Sequence, residues 1–307
     1  MNIKKTFVGF TFLLFCTTIF SQISVKDSTV QVIGYWANLE QQSYDISLEK
    51  LKLKGTDTIS REYTSYEVDL KIIDSTANSY TTEWYYKNYK VETDSEIAKK
   101  INALASDIAV QIKTDEFGTF MEVVNWESIK EYQLKVTDQL KEELKDVPNI
   151  NNIIDNVMKN FNSKEAIEAN AIKDAIQFYS FHGIKYTLNE KVKGNITLRN
   201  NFGGKPFDAA ISYSLDEINE EDGNAVIRMK QVVNSEQLTN ETYKFLKKVS
   251  AFGKNMPNRE DFPPLTNETY TASRIHGETG WVIYSIETKE VKAEGTTKIE
   301  ERIIEIK

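Results

Sequence analysis

Residues 59–73 constrain this chain most. Tyr66, Val68, Leu70 and Ile72 alternate with Ser65, Glu67, Asp69 and Lys71. A period of two places the first set on one face of a strand and the second on the other. Such a strand belongs in an antiparallel sheet with one wet face. Its dry face has to be covered, and the run cannot cover itself.

More strands are predicted on both sides. Val30, Val32 and Ile33 suggest a short first strand. Tyr44, Ile46 and Leu48 alternate, with Leu51 and Leu53 beyond them, up to a turn at Gly55-Thr56-Asp57. Residues 80–91 read as a strand crowded with Trp84, Tyr85, Tyr86 and Tyr89, with Trp84 and Tyr86 on one face and Tyr85 and Tyr89 on the other. Ile108, Val110 and Ile112 lead into a hairpin that turns at Asp115-Glu116-Phe117-Gly118 and returns over 120–124. The C-terminal region repeats the pattern at 184–188, 192–198, 210–218, 225–233, 270–275, 281–291 and 297–306. Turns fall at Glu221-Asp222-Gly223-Asn224, Gly277-Glu278-Thr279-Gly280 and Glu294-Gly295. Short helices are expected over 95–105 and, capped by Ser235, over 235–252. Residues 200–207 and the proline-bearing 253–267 read as loops.

The cover is expected from residues 126–183, which switch to a helical period. Trp126, Ile129, Tyr132, Val136, Leu140, Leu144 and Val147 make one apolar stripe, with Asn125 as N-cap and Pro148 as the break. Ile150, Ile153, Ile154, Val157, Met158 and Phe161 make a second. Ile167, Ala171, Ile172, Ala175, Ile176 and Tyr179 make a third, capped by Asn162 or Ser163 and ended by Gly183. The expected fold is therefore α+β: a large, curved, half-barrel-like antiparallel sheet packed against a central three-helix segment. It forms a single domain over 22–307, β-rich at 28–125, helical at 126–183 and β-rich at 184–307; two sheets in separate domains are the alternative.

Residues 1–21 read as a signal peptide. Lys4 and Lys5 precede an apolar stretch, and Ser21 supplies a small residue before a cut at Gln22. The expected location is the periplasm or the extracellular space. Cys16, the single cysteine, falls inside this segment, and Phe15 before it is a poor match to a lipid-attachment box, so a lipid-anchored form is the less favoured reading. Cleavage would remove the cysteine, and loss of Lys4 and Lys5 would take the formal charge from −8 to −10. A chain this acidic repels nucleic acid and anionic lipid at long range, so neither is an expected partner. No later apolar run is long enough to span a membrane.

Motifs for chemistry are missing. His182 and His276 stand far apart, with no HExxH, no G-x-S-x-G and no phosphate or dinucleotide loop, so no metal site and no cofactor are expected. Residues 217–222 are acidic but lack the order of a calcium loop.

The leader ending Ile19-Phe20-Ser21-Gln22, the strand Ile112-Lys113-Thr114-Asp115-Glu116-Phe117-Gly118 running on to Trp126, the segment Tyr213-Ser214-Leu215-Asp216-Glu217-Ile218 before an Asp-Gly turn, and the Thr279-Gly280-Trp281 hairpin together give a resemblance. The chain resembles signal-bearing, β-rich exported proteins of Bacteroidota, a family of unknown function. The resemblance implies no activity or site. The architecture is also similar to that of periplasmic lipoprotein carriers, which wrap a curved sheet around helices to hold acyl chains; that likeness is one of fold.

The leading functional expectation is a non-enzymatic binding or envelope-associated protein. It would hold a lipid or other apolar small molecule between sheet and helices, or engage an envelope protein. Trp84, Tyr86, Trp126 and Tyr132 are the expected contacts. The alternatives are a cell-surface interaction scaffold and a carboxylate-based glycan hydrolase.

Overall fold

The computed structural model describes residues 23–93, 99–100, 107–200, 204–248 and 256–307. The leader lies outside them, as do most of the helix expected over 95–105 and parts of the two expected loops. The chain begins with β1 (Ile23–Ser24) and β2 (Thr29–Gln31), then runs through β3 (Gln41–Lys54), β4 (Asp57–Ser75), β5 (Ser79–Glu92), β6 (Ile108–Asp115) and β7 (Phe120–Val123). The helical stretch contains α1 (Trp126–Glu143), α2 (Ile150–Met158), the single turn α3 (Lys164–Ala166), a π-helical turn at Ile167–Ala171 and α4 (Lys173–Tyr179). There follow β8 (Lys185–Thr187), β9 (Lys191–Leu198), β10 (Phe207–Asn219), β11 (Asn224–Val233), α5 (Ser235–Lys248), β12 (Thr266–His276), β13 (Val282–Ala293) and β14 (Thr296–Ile306).

Eleven strands make one open antiparallel sheet in the order β7-β6-β5-β4-β3-β14-β13-β12-β11-β10-β9. The chain enters at the centre, meanders out to β7, crosses through the helical stretch to β9 at the opposite edge, and meanders back. β3 and β14 close the seam between the two meanders, with Ile306 opposite Tyr44 and Thr296 opposite Lys54. At about 4.8 Å per strand, such a sheet laid flat would be roughly 50 Å wide. Yet Phe120 on β7 and Thr197 and Leu198 on β9 line one common pocket. The sheet therefore curls until its two edges face each other across a gap.

One end of the curl is closed. β1, β2 and β8 pair there as a small second sheet. Residues 32–40 run across the same end as a strap. Gly34 N–H donates to Phe117 O at 2.8 Å, Tyr35 N–H to Thr279 O at 2.9 Å and Leu39 N–H to Ile72 O at 2.9 Å, so the strap ties both halves of the sheet together. Trp36 on the strap packs against Tyr80 at 5.2 Å and Trp281 at 5.1 Å. Gly280 fits this closure twice over: its φ is +73°, and a Cβ there would lie 2.2 Å from Ile33 O.

The helical cover differs from the expected three-helix layer. α1 buries Ile129, Gln133, Thr137 and Leu140, a stripe displaced from the one read in sequence, and Tyr132 is exposed. Leu140 and Leu144 pack with Ile150 and Ile154 of α2 in a cluster of their own. The first two helices thus cover chiefly each other. Asn125 is not a side-chain cap: its Oδ1 accepts from Gln111 N–H at 2.8 Å, and its Nδ2 donates to Ala109 O at 2.9 Å, which pins the start of α1 to β6. Ser163 does cap, accepting from Ala166 N–H at 3.2 Å. The third predicted helix is broken by the π turn, and only its last part, α4, enters the curl of the sheet. In α5 the cap is Asn234, which accepts from Gln237 N–H, while the Ser235 hydroxyl donates to Leu265 O.

On β5 the strict alternation fails at Asn88. Its left-handed φ of 57° and the shifted register opposite β4 carry Tyr89 onto the face of Trp84 and Tyr86, where it stacks on Tyr66 at 4.5 Å.

The separate α1–α2 cluster should open by itself. Ile154→Ala is expected to speed amide hydrogen exchange in α1 and α2 while β3–β5 stay protected. Phe178→Ala, in the main core, should cost about 3–5 kcal/mol of global stability in chemical denaturation.

Candidate functional site

The two halves of the sheet interior are filled differently. Over β3–β6 the filling is α4 itself. Phe178 meets Trp84 edge-on at 5.3 Å and Tyr44 at 5.5 Å. The Tyr179 hydroxyl lies 2.8 Å from Thr82 Oγ1 and accepts from Trp84 Nε1 at 3.0 Å. Asp174 accepts from the hydroxyls of Tyr66 at 2.9 Å and Tyr86 at 3.1 Å. Burial, reinforced by the Asp174 charge, pushes both phenols well above their usual range, so they stay protonated donors.

This places the residues singled out from sequence. Trp84 is fully buried and Tyr86 nearly so, on the dry face that α4 occupies. Trp126 is half-buried against the main core, and Tyr132 is exposed on α1. None of the four lines the space described next; at Trp84 and Tyr86 the side chains of α4 occupy the dry face instead.

Over β10–β14 the interior is only partly filled: α4 reaches Ser285 of β13 and Arg302 O of β14 through Gln177, and the rest is open. A cavity of about 590 Å³ lies between α4 and the inner face of these strands, and a second of about 700 Å³ shares Phe120, Lys173, Ile176, Gln231, Glu287 and Lys289 with it and continues toward β9 and α5. The register sorts the inner face of these strands into transverse rows, of which Met229, Gln231, Thr269, Glu287, Lys289 and Glu300 reach the cavity and the others are buried. Nearest the closed end, Ile227, Ser273, Ser285 and Ile304 lie side by side. The next row is Met229, Thr271, Glu287 and Arg302, and the next Gln231, Thr269, Lys289 and Glu300. Charge and hydrogen-bonding capacity therefore increase with distance from the strap, while Phe120, Ile176, Ile184, Tyr213 and Met229 keep other parts of the cavity apolar.

Arg302 organises the charges. It is 4% exposed. It bonds Glu287 at 3.2 Å, Glu300 at 3.1 Å and Gln177 Oε1 at 3.4 Å. Gln177 also donates to Ser285 Oγ at 2.9 Å, which ties α4 to β13. Lys173 reaches Glu300 at 3.4 Å. Burial raises the Glu300 pKa, but Lys173, Arg302 and Lys50 outweigh it and hold the carboxyl below its usual range. A general acid needs the opposite shift, so Glu300 is built as a fixed anion. Lys289 is pushed below the usual lysine range by burial and by Lys173.

His182 stands where the cavity meets the strap. Its ring stacks on Phe178 at 5.9 Å, and Nε2 lies 2.9 Å from Gly280 O. A carbonyl only accepts, so Nε2 carries the hydrogen and Nδ1 is bare. Burial lowers its pKa to about 4, against the carbonyls of Gly280 and Tyr179, which favour the charged ring. His276 instead bonds Thr279 Oγ1 within its turn at 2.9 Å.

No protein-family model and no curated protein matches this sequence. Among solved structures, one titled "Lipid-protein interactions in lipovitellin" aligns with a TM-score of 0.41 and 8% identity, over 88% of this chain and 25% of that one. The present chain thus spans about a quarter of that protein's length, and a likeness of this size carries no functional argument. Among the described residues, no group of three or more His, Cys, Asp or Glu is placed to hold a metal, and no helix is long and apolar enough to cross a membrane.

The sequence reading missed the cavity wall. Its signal was an inverted pattern in β13, where Ser285, Glu287 and Lys289 point inward and Ile286 points outward.

The His182 shift predicts a pH dependence. The folded pKa of about 4 lies below the unfolded value of about 6.5, so the unfolded chain binds the proton first. This contribution is complete above about pH 6.5 and is lost as pH falls toward 4, up to about 3 kcal/mol in all. Urea titrations at pH 7 and pH 5 should show that slope in the native protein and a shallower one in His182→Gln.

Proposed function

We propose that this is an exported binding protein that holds an apolar molecule in the cavity between α4 and β10–β14. One observation carries the reading. α4 covers the inner face of one half of the sheet and only part of the other, where Met229, Gln231, Thr269, Glu287 and Lys289 are left lining a cavity of about 590 Å³, a size suited to a small organic ligand. The rest of the fold supports it. The strap closes one end, and the gap between β7 and β9 gives a route in. The basic leader with Ser21 at its end supports export, and the periplasm or extracellular space is the proposed compartment. The ligand is the partner proposed, in place of nucleic acid.

The test is uptake of a neutral apolar fluorophore, Nile red, by the full chain. The native protein should bind it with a blue-shifted, enhanced emission. Met229→Trp and Ile176→Trp, which push bulk into the cavity, should each reduce that binding several-fold, with melting temperatures within a few degrees of the native protein. A protein that takes up no dye, or takes it up equally in both variants, would sink the proposal.

A further inference from the structure

The wall of the cavity carries a finer signal. Gln231, Thr269 and Lys289 are direct cross-strand neighbours on β11, β12 and β13, so their side chains form one row on the inner face. Glu300 is the next residue in that row, directly opposite Lys289. An ion pair between these two is the expected outcome for opposite charges facing each other on a sheet. It does not form. The Glu300 carboxylate is turned instead to Lys173 at 3.4 Å and Arg302 at 3.1 Å. Lys289 makes no hydrogen bond or ion pair with any described residue, and neither the Gln231 amide nor the Thr269 hydroxyl makes one. Three donor-bearing groups thus converge on the cavity with their capacity unused, in a wall where the carboxylates are already engaged: Glu287 by Arg302 and by Thr271 at 3.2 Å, Glu300 by Lys173 and Arg302.

The charge count agrees. Around this row stand three cations, Lys173, Lys289 and Arg302, and two carboxylates, Glu287 and Glu300. Farther along the shared cavity stand Glu165, Glu168 and Arg199, with Glu168 accepting from Val123 N–H at 2.9 Å, and Asp174 is held by Tyr66 and Tyr86 of β4 and β5. An unpaired ammonium drawn out of water is costly, and an anion arriving from solution would relieve that cost. Glu287 and Glu300 limit its charge, because a dianion at Lys289 would face both at short range.

We propose that the Gln231–Thr269–Lys289 row is the head-group site for a singly charged anionic amphiphile of the fatty-carboxylate class, with its chain lying along Met229 and Tyr213. The inference rests on the cavity being a ligand site. The ammonium, hydroxyl and amide donate to the two carboxylate oxygens. The chain then lies along the apolar part of the cavity lining, Ile184, Tyr213 and Met229.

The test compares equilibrium binding of dodecanoate, dodecanol, dodecyl phosphate and acetate to the full chain. Dodecanoate should bind about tenfold or more tightly than dodecanol, the size expected for hydrogen bonds to a charged group. It should also bind more tightly than dodecyl phosphate, and acetate should not bind at the same concentration. Lys289→Gln should abolish the preference for dodecanoate while leaving dodecanol affinity within about twofold of native. Thr269→Val should give an intermediate loss. Dodecanol binding in both variants shows that the cavity is intact, so a misfolded variant cannot pass as support. Equal binding of dodecanoate and dodecanol, or a preference that survives Lys289→Gln, overturns the head-group assignment and leaves the apolar-cavity reading standing. Tighter binding of dodecyl phosphate or of acetate overturns the ligand class. Failure of every dodecyl compound and of Nile red overturns both readings together.

Discussion

The burial of α4 is the constraint on which the rest of the structure depends. This helix has seven residues, and Asp174, Ala175, Gln177, Phe178 and Tyr179 are all buried. An isolated helix of that length has no stability in water. It persists because the sheet wraps it, and the sheet wraps because the helix gives each half something to close on. Tyr179 and Asp174 bind β4 and β5, and Gln177 binds β13 and β14. A flat sheet would leave those anchors unmet and a broad apolar face wet.

From that constraint follows the asymmetry of the interior. The side of α4 toward β3–β6 is largely aromatic, and its polar groups, Asp174 and the Tyr179 hydroxyl, are hydrogen-bonded to the strands. The side toward β12–β14 is polar, and buried polar groups are tolerated only when hydrogen-bonded. Most are: Ser273 donates to Ser285 at 2.7 Å, and Arg302 holds two carboxylates. One half is therefore scaffold and full, with the buried Tyr44 hydroxyl left without a partner among the described residues. The other holds its fixed charges in a defined pattern around open space.

The sheet was legible in sequence because period-two alternation is a local signal. Val68, Leu70 and Ile72 face inward as their spacing requires, and the turns at Gly118, Gly223 and Gly280 all take left-handed conformations. What was not legible depends on distant partners. Gln133 and Thr137 are buried in α1 where Tyr132 and Val136 were expected, because α2 offers that side a neighbour. Trp84 and Tyr86 looked like a ligand platform, yet the aromatic content that drew attention to them is what α4 packs upon. Lys289 and Glu300 were unremarkable charges in alternating strands. Only the register, set by the seam and the strap, shows that their polar faces point inward.

The seam itself has a consequence for how the molecule assembles. Most sheet pairings are hairpins between strands near in sequence, and such contacts form quickly. The β3–β14 pairing joins opposite ends of the described chain and must close the longest loop in the fold, so it carries the largest entropic cost. Two meanders can therefore form early, each with a raw edge, at β3 or at β14, in addition to the β7 or β9 edge that the finished sheet keeps. Until they meet, each edge is a template for any other extended chain. The same pairing that completes the curl is thus the step at which a copy of this protein can join the wrong partner, and crowding of nascent chains would be felt there first.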